Sequence, residues 1–250
     1  MKTLGGFMFI TSGNKFDYCF KEAISSLCEF CDKVSVLCLD LEQDGTGRDI
    51  LSLMDRYSNL EMYDIDYKLW EDTKGKIKLS HFQNIAAMPL NTDYQFLLQA
   101  DEILHEDSYE WIRRAMESDA EGFLCSRLNL WGSPYRKLDV PLSRMPCSPQ
   151  VIRLTKRGYM CYDDGENIGA PVSNSFVEQI RIYHMGFVRR KEVMKEKIIN
   201  MQKNVFGIDH DKKLDGMDTF DWKGWFSELD LKPIGEPLPL LIQKWAEERV

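Results

Sequence analysis

The feature that most constrains this chain is a regular exchange of strand-type and helix-type patterning through its first hundred residues. Gly5 to Ile10 (GGFMFI) is a short apolar run that ends in the turn-forming TSGN, as a buried strand does. Phe16, Cys19, Phe20, Ala23, Ile24 and Leu27 then recur at helical spacing and predict a helix from Asp17 to Phe30. Lys33 to Leu39 is a second strand, Asp49 to Arg56 a helix, and Leu60 to Ile65 a third strand. Lys78 to Met88 is a further helix, and Tyr94 to Gln99 a fourth strand. Strands separated by helical crossovers pair in parallel. The expected fold class is therefore α/β, with a Rossmann-like, mostly parallel sheet flanked by helices.

Ligands of such sheets bind outside the carboxyl ends of the strands. Three of those ends are polar here: Thr11 to Asn14, Asp40 to Thr46, and Gln99 to Glu102. Beyond residue 108 the alternation weakens. Tyr109 to Met116 has a helical pattern, Gly122 to Trp131 and Val151 to Leu154 are strands, and the segment between them carries Pro134, Pro141, Pro146 and Pro149. Arg181 to Tyr183 forms a short strand before His184, and Lys191 to Gln202 a strongly charged helix. The remainder, with Trp222, Trp225 and Trp245, is an expected C-terminal extension over residues 206–250, packed on a main domain of residues 1–205.

The chain has 250 residues, enough for one large domain with a full core. Its 32 Lys and Arg against 40 Asp and Glu leave a net charge of -8, which speaks against nucleic acid as the main partner. No run approaches the ~20 apolar residues of a membrane span, and the apolar run ending at Ile10 is too short and strand-like for a signal peptide. The seven cysteines, several in apolar runs, are expected to be buried free thiols in a reducing, cytoplasmic setting. Cys28 and Cys31 form a CxxC, but it lies inside a helical pattern and has no second pair.

Four clusters can carry chemistry. Asp101, at the end of the YQFLLQ strand, is placed to hold Mg²⁺ or Mn²⁺, which take oxygen ligands and bridge to phosphates; it is equally a turn-capping acid. His184 in YHMGF can join a carboxylate on Mn²⁺ as a neutral imidazole, or be a satisfied buried histidine. Asp40, Asp44 and Thr46 can accept from a base or ribose, or form a hydrophilic DG turn. Asp163, Asp164 and Glu166 in YDDGEN offer a general base, or a solvated turn.

The order of these segments resembles the inverting GT-A glycosyltransferases of the family 2 type, closest to lipopolysaccharide and capsule sugar transferases with a DADE-like motif. The segments are ITSGN, DKVSVLCLDLEQDGT, HFQNIAA, FLLQADEIL, VIRLTKRG, the YDDGEN turn and HMGFVRRKEVMKEK, over about residues 5 to 205. The resemblance implies a metal-dependent enzyme that moves a sugar from a nucleotide-sugar to a glycan, lipid-linked or other hydroxyl acceptor with inversion, in polysaccharide biosynthesis. It assigns Asp101 and His184 to the metal, and Thr11, Ser12, Gly13, Asn14, Asp40, Asp44, Asn84, Gln99 and Ala100 to the nucleotide-sugar. Glu166 becomes the base, with Asp164 next to it in rank. Two departures stand out: Gln99 replaces the first acid of the motif, and Gln83 stands where the family usually has Arg. They keep open a nucleotide-sugar-binding scaffold without turnover. A nucleotidyltransferase is the other alternative, although ITSGNKFDY lacks the Gly-rich basic loop of that group.

Overall fold

In the computed structural model, residues 1–39, 44–73, 75, 77–204 and 227–249 are described. The chain opens with β1 (Leu4–Ile10), α1 (Phe20–Phe30), β2 (Lys33–Cys38), α2 (Thr46–Met54) and β3 (Leu60–Asp64). Then come α3 (Tyr67–Asp72), α4 (Ile77–Ala87), β4 (Tyr94–Leu97), β5 (Glu102–Leu104), α5 (Ser108–Glu117) and β6 (Gly122–Trp131). Short strands β7 (Arg136–Leu138), β8 (Gln150–Lys156), β9 (Cys161–Tyr162), β10 (Asn167–Ile168) and β11 (Val172–Ser173) precede β12 (Arg181–Phe187). The described chain closes with α6 (Lys191–Asn204), β13 (Leu231–Pro233) and α7 (Leu240–Glu247).

The expected α/β architecture, a sheet flanked by helices, is present, and the sheet is mixed: its β1–β4 half is parallel, while β8, β7 and β13 pair antiparallel. One large sheet runs in the order β13-β7-β6-β8-β4-β1-β2-β3, with β12 beside β6 and β5. β1, β2, β3 and β4 are parallel, as their helical crossovers require. β8 reverses direction between β4 and β6, and β12 is parallel to β6. The carboxyl ends of β1, β4, β6 and β12 therefore share one edge of the sheet. The strand order reverses at β1, between β2 and β4, so a topological switch point opens there.

The sheet is covered on both faces. α1 and α5 bury Ala23, Ile24, Leu27, Ile112 and Ala115 against Met8, Val36 and Phe96. α4 lies on the opposite face, where Phe82 and Ala86 meet Phe7, Leu37 and Leu97. The alternation along β1 explains the division: Met8 faces one layer, Phe7 the other. α7 buries Ile242, Trp245 and Ala246 beside Ile103, Tyr183 and Met185, and β13 pairs with β7. The described part of the C-terminal segment thus extends the same sheet and core. Trp222 and Trp225 lie outside the described residues.

All seven cysteines are free, and all except Cys147 are buried. Burial pushes the Cys28 thiol up to about 12 and Cys31 well above its ordinary value. The CxxC is therefore a packed, unreactive end of α1. Among the described residues, no helix is long and apolar enough to cross a membrane.

Candidate active site

A crevice of about 490 Å³ opens at the switch point. Thr11 enters it from the end of β1, and Gln99, Ala100 and Asp101 from the turn after β4. Register carries this placement: Phe7 sits opposite Leu97, so the residues that follow each strand emerge side by side. β12 delivers His184 and Gly186 to the same edge, and Asp164 and Glu166 complete the polar lining. A volume of this size suits a ligand of nucleotide-sugar dimensions.

Asp101 and His184 do meet. The Asp101 Oδ2 atom is 3.8 Å from His184 Nε2, and both residues are buried. The imidazole is fixed from behind: its Nδ1 lies 2.9 Å from Asn129 Oδ1, while Asn129 Nδ2 donates to the Cys147 carbonyl at 2.9 Å. Because the amide orientation is set by Cys147, Nδ1 must carry the proton and Nε2 turns a lone pair toward Asp101. Burial pushes the imidazole down to about 4, against the opposing pull of Asp101, so it is neutral at pH 7. The glycine of HMG has a steric reason. A Cβ at Gly186 would lie 2.2 Å from His184 Nε2, so any larger residue would displace the ring.

Asp101 also faces two cations. Lys197 Nζ, from α6, donates to Oδ2 at 3.0 Å, and Arg189 Nη2 is 3.6 Å from the same oxygen. Burial alone would raise the Asp101 carboxyl. Lys197 and Arg189, joined by His184 at the low pH where it is protonated, outweigh it and hold the group well below the usual carboxylate range. Arg189 is buried, donates to the Phe16 carbonyl and lies over the Tyr18 ring.

The donor set fits a divalent ion. A neutral imidazole with its distal nitrogen held by a hydrogen bond, beside an ionised carboxylate, is the pattern of a metal ligand with its orienting partner. Mixed carboxylate and imidazole ligation suits Mn²⁺ better than Mg²⁺, which prefers oxygen alone. Among the described residues no third His, Cys, Asp or Glu joins the pair, so an ion held there would need further oxygen ligands from outside these side chains.

The acids of YDDGEN sit in the four-residue loop of the β9–β10 hairpin. The loop is locked to α4: Ser80 Oγ donates to the Asp163 carbonyl at 2.9 Å, and Gly165 adopts φ +73. A Cβ at Gly165 would come within 3.0 Å of the Ser80 amide nitrogen. Asp164 and Glu166 line the crevice, whereas Asp163 is exposed. The two acids differ in their partners. Glu166 Oε2 accepts from Arg127 Nη2 at 3.0 Å, and the Arg127 side chain has no solvent exposure. Asp164 has no ion pair among the described residues; its Oδ1 accepts the Glu166 amide at 3.3 Å.

The other expected ligand residues divide. Thr11, Gln99 and Ala100 line the crevice. Asn14 and Asp44 instead join the β1 turn to α2: Asn14 Nδ2 donates to Asp49 Oδ2, and Asp44 accepts from the amides of Lys15 and Thr46. Gly13 is buried, with room for no Cβ against Ile10 and Phe20. Ser12 takes φ 53 in the same turn, and neither it nor Gly13 is among the lining residues. Asp40 lies outside the described residues. Asn84 turns away and pairs twice with the Cys161 backbone, pinning the acid-bearing hairpin. Its neighbour Gln83 takes the place at the crevice, with a buried Oε1 that has no hydrogen-bond partner among the described residues. Sequence reasoning missed Lys197, Arg189 and Arg127. It also missed the apolar wall of Phe9, Trp70, Met194, Ile198 and Met201. The spacing of the last three at i, i+4 and i+7 on α6 was the available signal for that wall.

These features define a mixed α/β protein with an acid- and histidine-bearing crevice at the carboxyl edge of its sheet. No family profile matches the chain, and no curated protein matches it. Among solved structures it is similar to S. aureus TarS. TarS 1-349 in complex with UDP aligns at a TM-score of 0.42 and 14% identity, over 58% of this chain and 40% of that one. A longer TarS structure aligns at 0.47 and 12%, over 92% and 44% respectively. TarS 1-349 in complex with UDP-GlcNAc aligns at 0.46 and 11%, over 80% and 66%. The chain spans 40% to 47% of the first three TarS chains it matches.

Proposed function

We propose that this chain is a metal-dependent glycosyltransferase that takes a sugar from a nucleotide-sugar and passes it to a hydroxyl acceptor with inversion. One observation carries the proposal. Asp101, from the turn after β4, and His184, from β12, are far apart in sequence, yet meet in one crevice that also receives Asp164 and Glu166 from a third element. Inverting displacement needs charge stabilisation on the leaving phosphate and a proton acceptor for the attacking hydroxyl. The crevice supplies residues for both.

In this mechanism Thr11, Gln99 and Gln83 contact the donor from the β1 and β4 ends and from α4. Asp101 and His184 would hold Mn²⁺ or Mg²⁺, which would supply positive charge to stabilise a departing diphosphate. Lys197 and Arg189, which both face Asp101, add positive charge on the same side of the crevice. An acid of the β9–β10 loop takes the acceptor proton. Asp164 suits that role better than Glu166: a proton placed on Glu166 would remove one of the two carboxylates that neutralise buried Arg127. Pro146 and Cys147, from the proline-rich segment, line the crevice where an acceptor would approach.

A binding scaffold without turnover is the second candidate. One feature favours it: Asp101 is already compensated by Lys197 and Arg189. A nucleotidyltransferase has less support, because the single lysine of the β1 turn, Lys15, is paired to Glu196 on α6. Thermal unfolding with a panel of UDP-, GDP- and dTDP-sugars, with and without Mn²⁺, tests donor recognition. One donor at about 100 times its dissociation constant should stabilise the chain by about 2.7 kcal/mol. No shift with any nucleotide-sugar would remove the proposal.

A further inference from the structure

The contact between Lys197 and Asp101 joins two groups with different tasks. Asp101 is the acid of the candidate metal pair. Lys197 Nζ lies 3.0 Å from its Oδ2, on the same oxygen that faces His184 Nε2. The ammonium also donates to the Gly186 carbonyl at 3.3 Å and lies 4.9 Å from the Tyr18 ring centroid. Arg189, buried and anchored on the Phe16 carbonyl, adds a second positive charge at 3.6 Å. A divalent ion entering between Asp101 and His184 would meet that ammonium at short range, where like charges repel strongly. The lysine is on a four-carbon stem and sits on α6, whose Met194, Ile198 and Met201 line the crevice with it. It can therefore leave Asp101 without a change in the sheet.

We propose that Lys197 is an internal counter-ion: it occupies the Asp101 carboxylate in the unloaded protein and transfers to the donor's diphosphate when a divalent ion loads. This rests on the metal-dependent transferase proposed above and assigns its order of loading. Metal alone competes against a built-in cation and binds weakly. Diphosphate offers the displaced ammonium a new anionic partner, so metal and diphosphate favour each other's binding.

The test needs no sugar turnover. Mn²⁺ binding is measured from the free-ion electron paramagnetic resonance signal, and inorganic pyrophosphate binding by calorimetry with the protein saturated in Mn²⁺. Lys197→Met should bind Mn²⁺ roughly tenfold or more tightly than wild type, because the competing charge is gone. The same variant should bind pyrophosphate more weakly. Lys197→Arg, which keeps the charge, should follow wild type in Mn²⁺ affinity. Lys197→Gln repeats the experiment if the Met variant unfolds. Mn²⁺ affinity unchanged or lowered in both neutral variants would overturn the proposal, and so would unchanged pyrophosphate affinity. If the expected shifts occur in a chain that never transfers sugar, the counter-ion role stands and the transferase falls.

Discussion

Glu102→Ala is expected to destabilise the chain by about 3–5 kcal/mol, the cost of leaving buried charge without its partner. Glu102 Oε1 accepts from Arg153 Nη2 at 2.6 Å and faces Arg127 Nη1 at 3.4 Å, and all three side chains have no solvent exposure. Its Oε2 also accepts the Gln99 amide at 3.0 Å. One carboxylate therefore serves two guanidinium groups and shapes the turn that presents Asp101. Arg127 continues to Glu166, so the network ties β5, β6, β8 and the acid-bearing loop together. Urea unfolding would show the loss as a lower midpoint. For contrast, Glu110→Ala removes an exposed i,i+4 pair with Arg114 and should change stability by no more than about 0.5 kcal/mol. A Glu102→Ala loss under about 1 kcal/mol, set against what an unpaired buried charge costs, would mean that the network does not hold the edge of the sheet.

The second large effect concerns the proton acceptor. Asp164→Asn should lower sugar transfer by about 10²-fold or more, with donor affinity and stability unchanged, because Asp164 has no ion pair among the described residues. Glu166→Gln should do something different: it removes a partner from buried Arg127 and should lower stability as well as activity. Steady-state rates at saturating donor, beside unfolding curves, separate the two. Full activity in Asp164→Asn and a large loss in Glu166→Gln would return the base to Glu166. Full activity in both would place it outside this loop.

Much of the frame was legible in the sequence because it depends on local periodicity. The Gly122 to Trp131 strand appears with those bounds, and the parallel half follows from four strands and their crossovers. The crevice was legible only in part. Polar residues at strand ends located it, but sequence does not say which neighbour of a helical pair faces inward. Successive helical side chains point about 100° apart, and so Asn84 was assigned the place that Gln83 holds. Asn14 and Asp44 carry side chains that serve a donor or a turn equally well, and here they close the turn. Glu102 read as one of a pair of strand-end acids and is instead fully buried, because its two arginine partners lie 25 and 51 residues away. Lys197 read as part of a charged helix. Its partner Asp101 is 96 residues earlier, and no local pattern records such a contact.

The central claim is that this crevice breaks the bond between a sugar and a nucleoside diphosphate. The direct measurement is nucleoside diphosphate release from the donor that stabilises the wild-type chain, with Mn²⁺ present, compared with Asp101→Asn. The mechanism predicts steady release by the wild type and a fall of about 10²-fold or more without the Asp101 charge, the scale of losing one electrostatic stabiliser. Tight donor binding with no release by the wild type, or equal release by both chains, would contradict it.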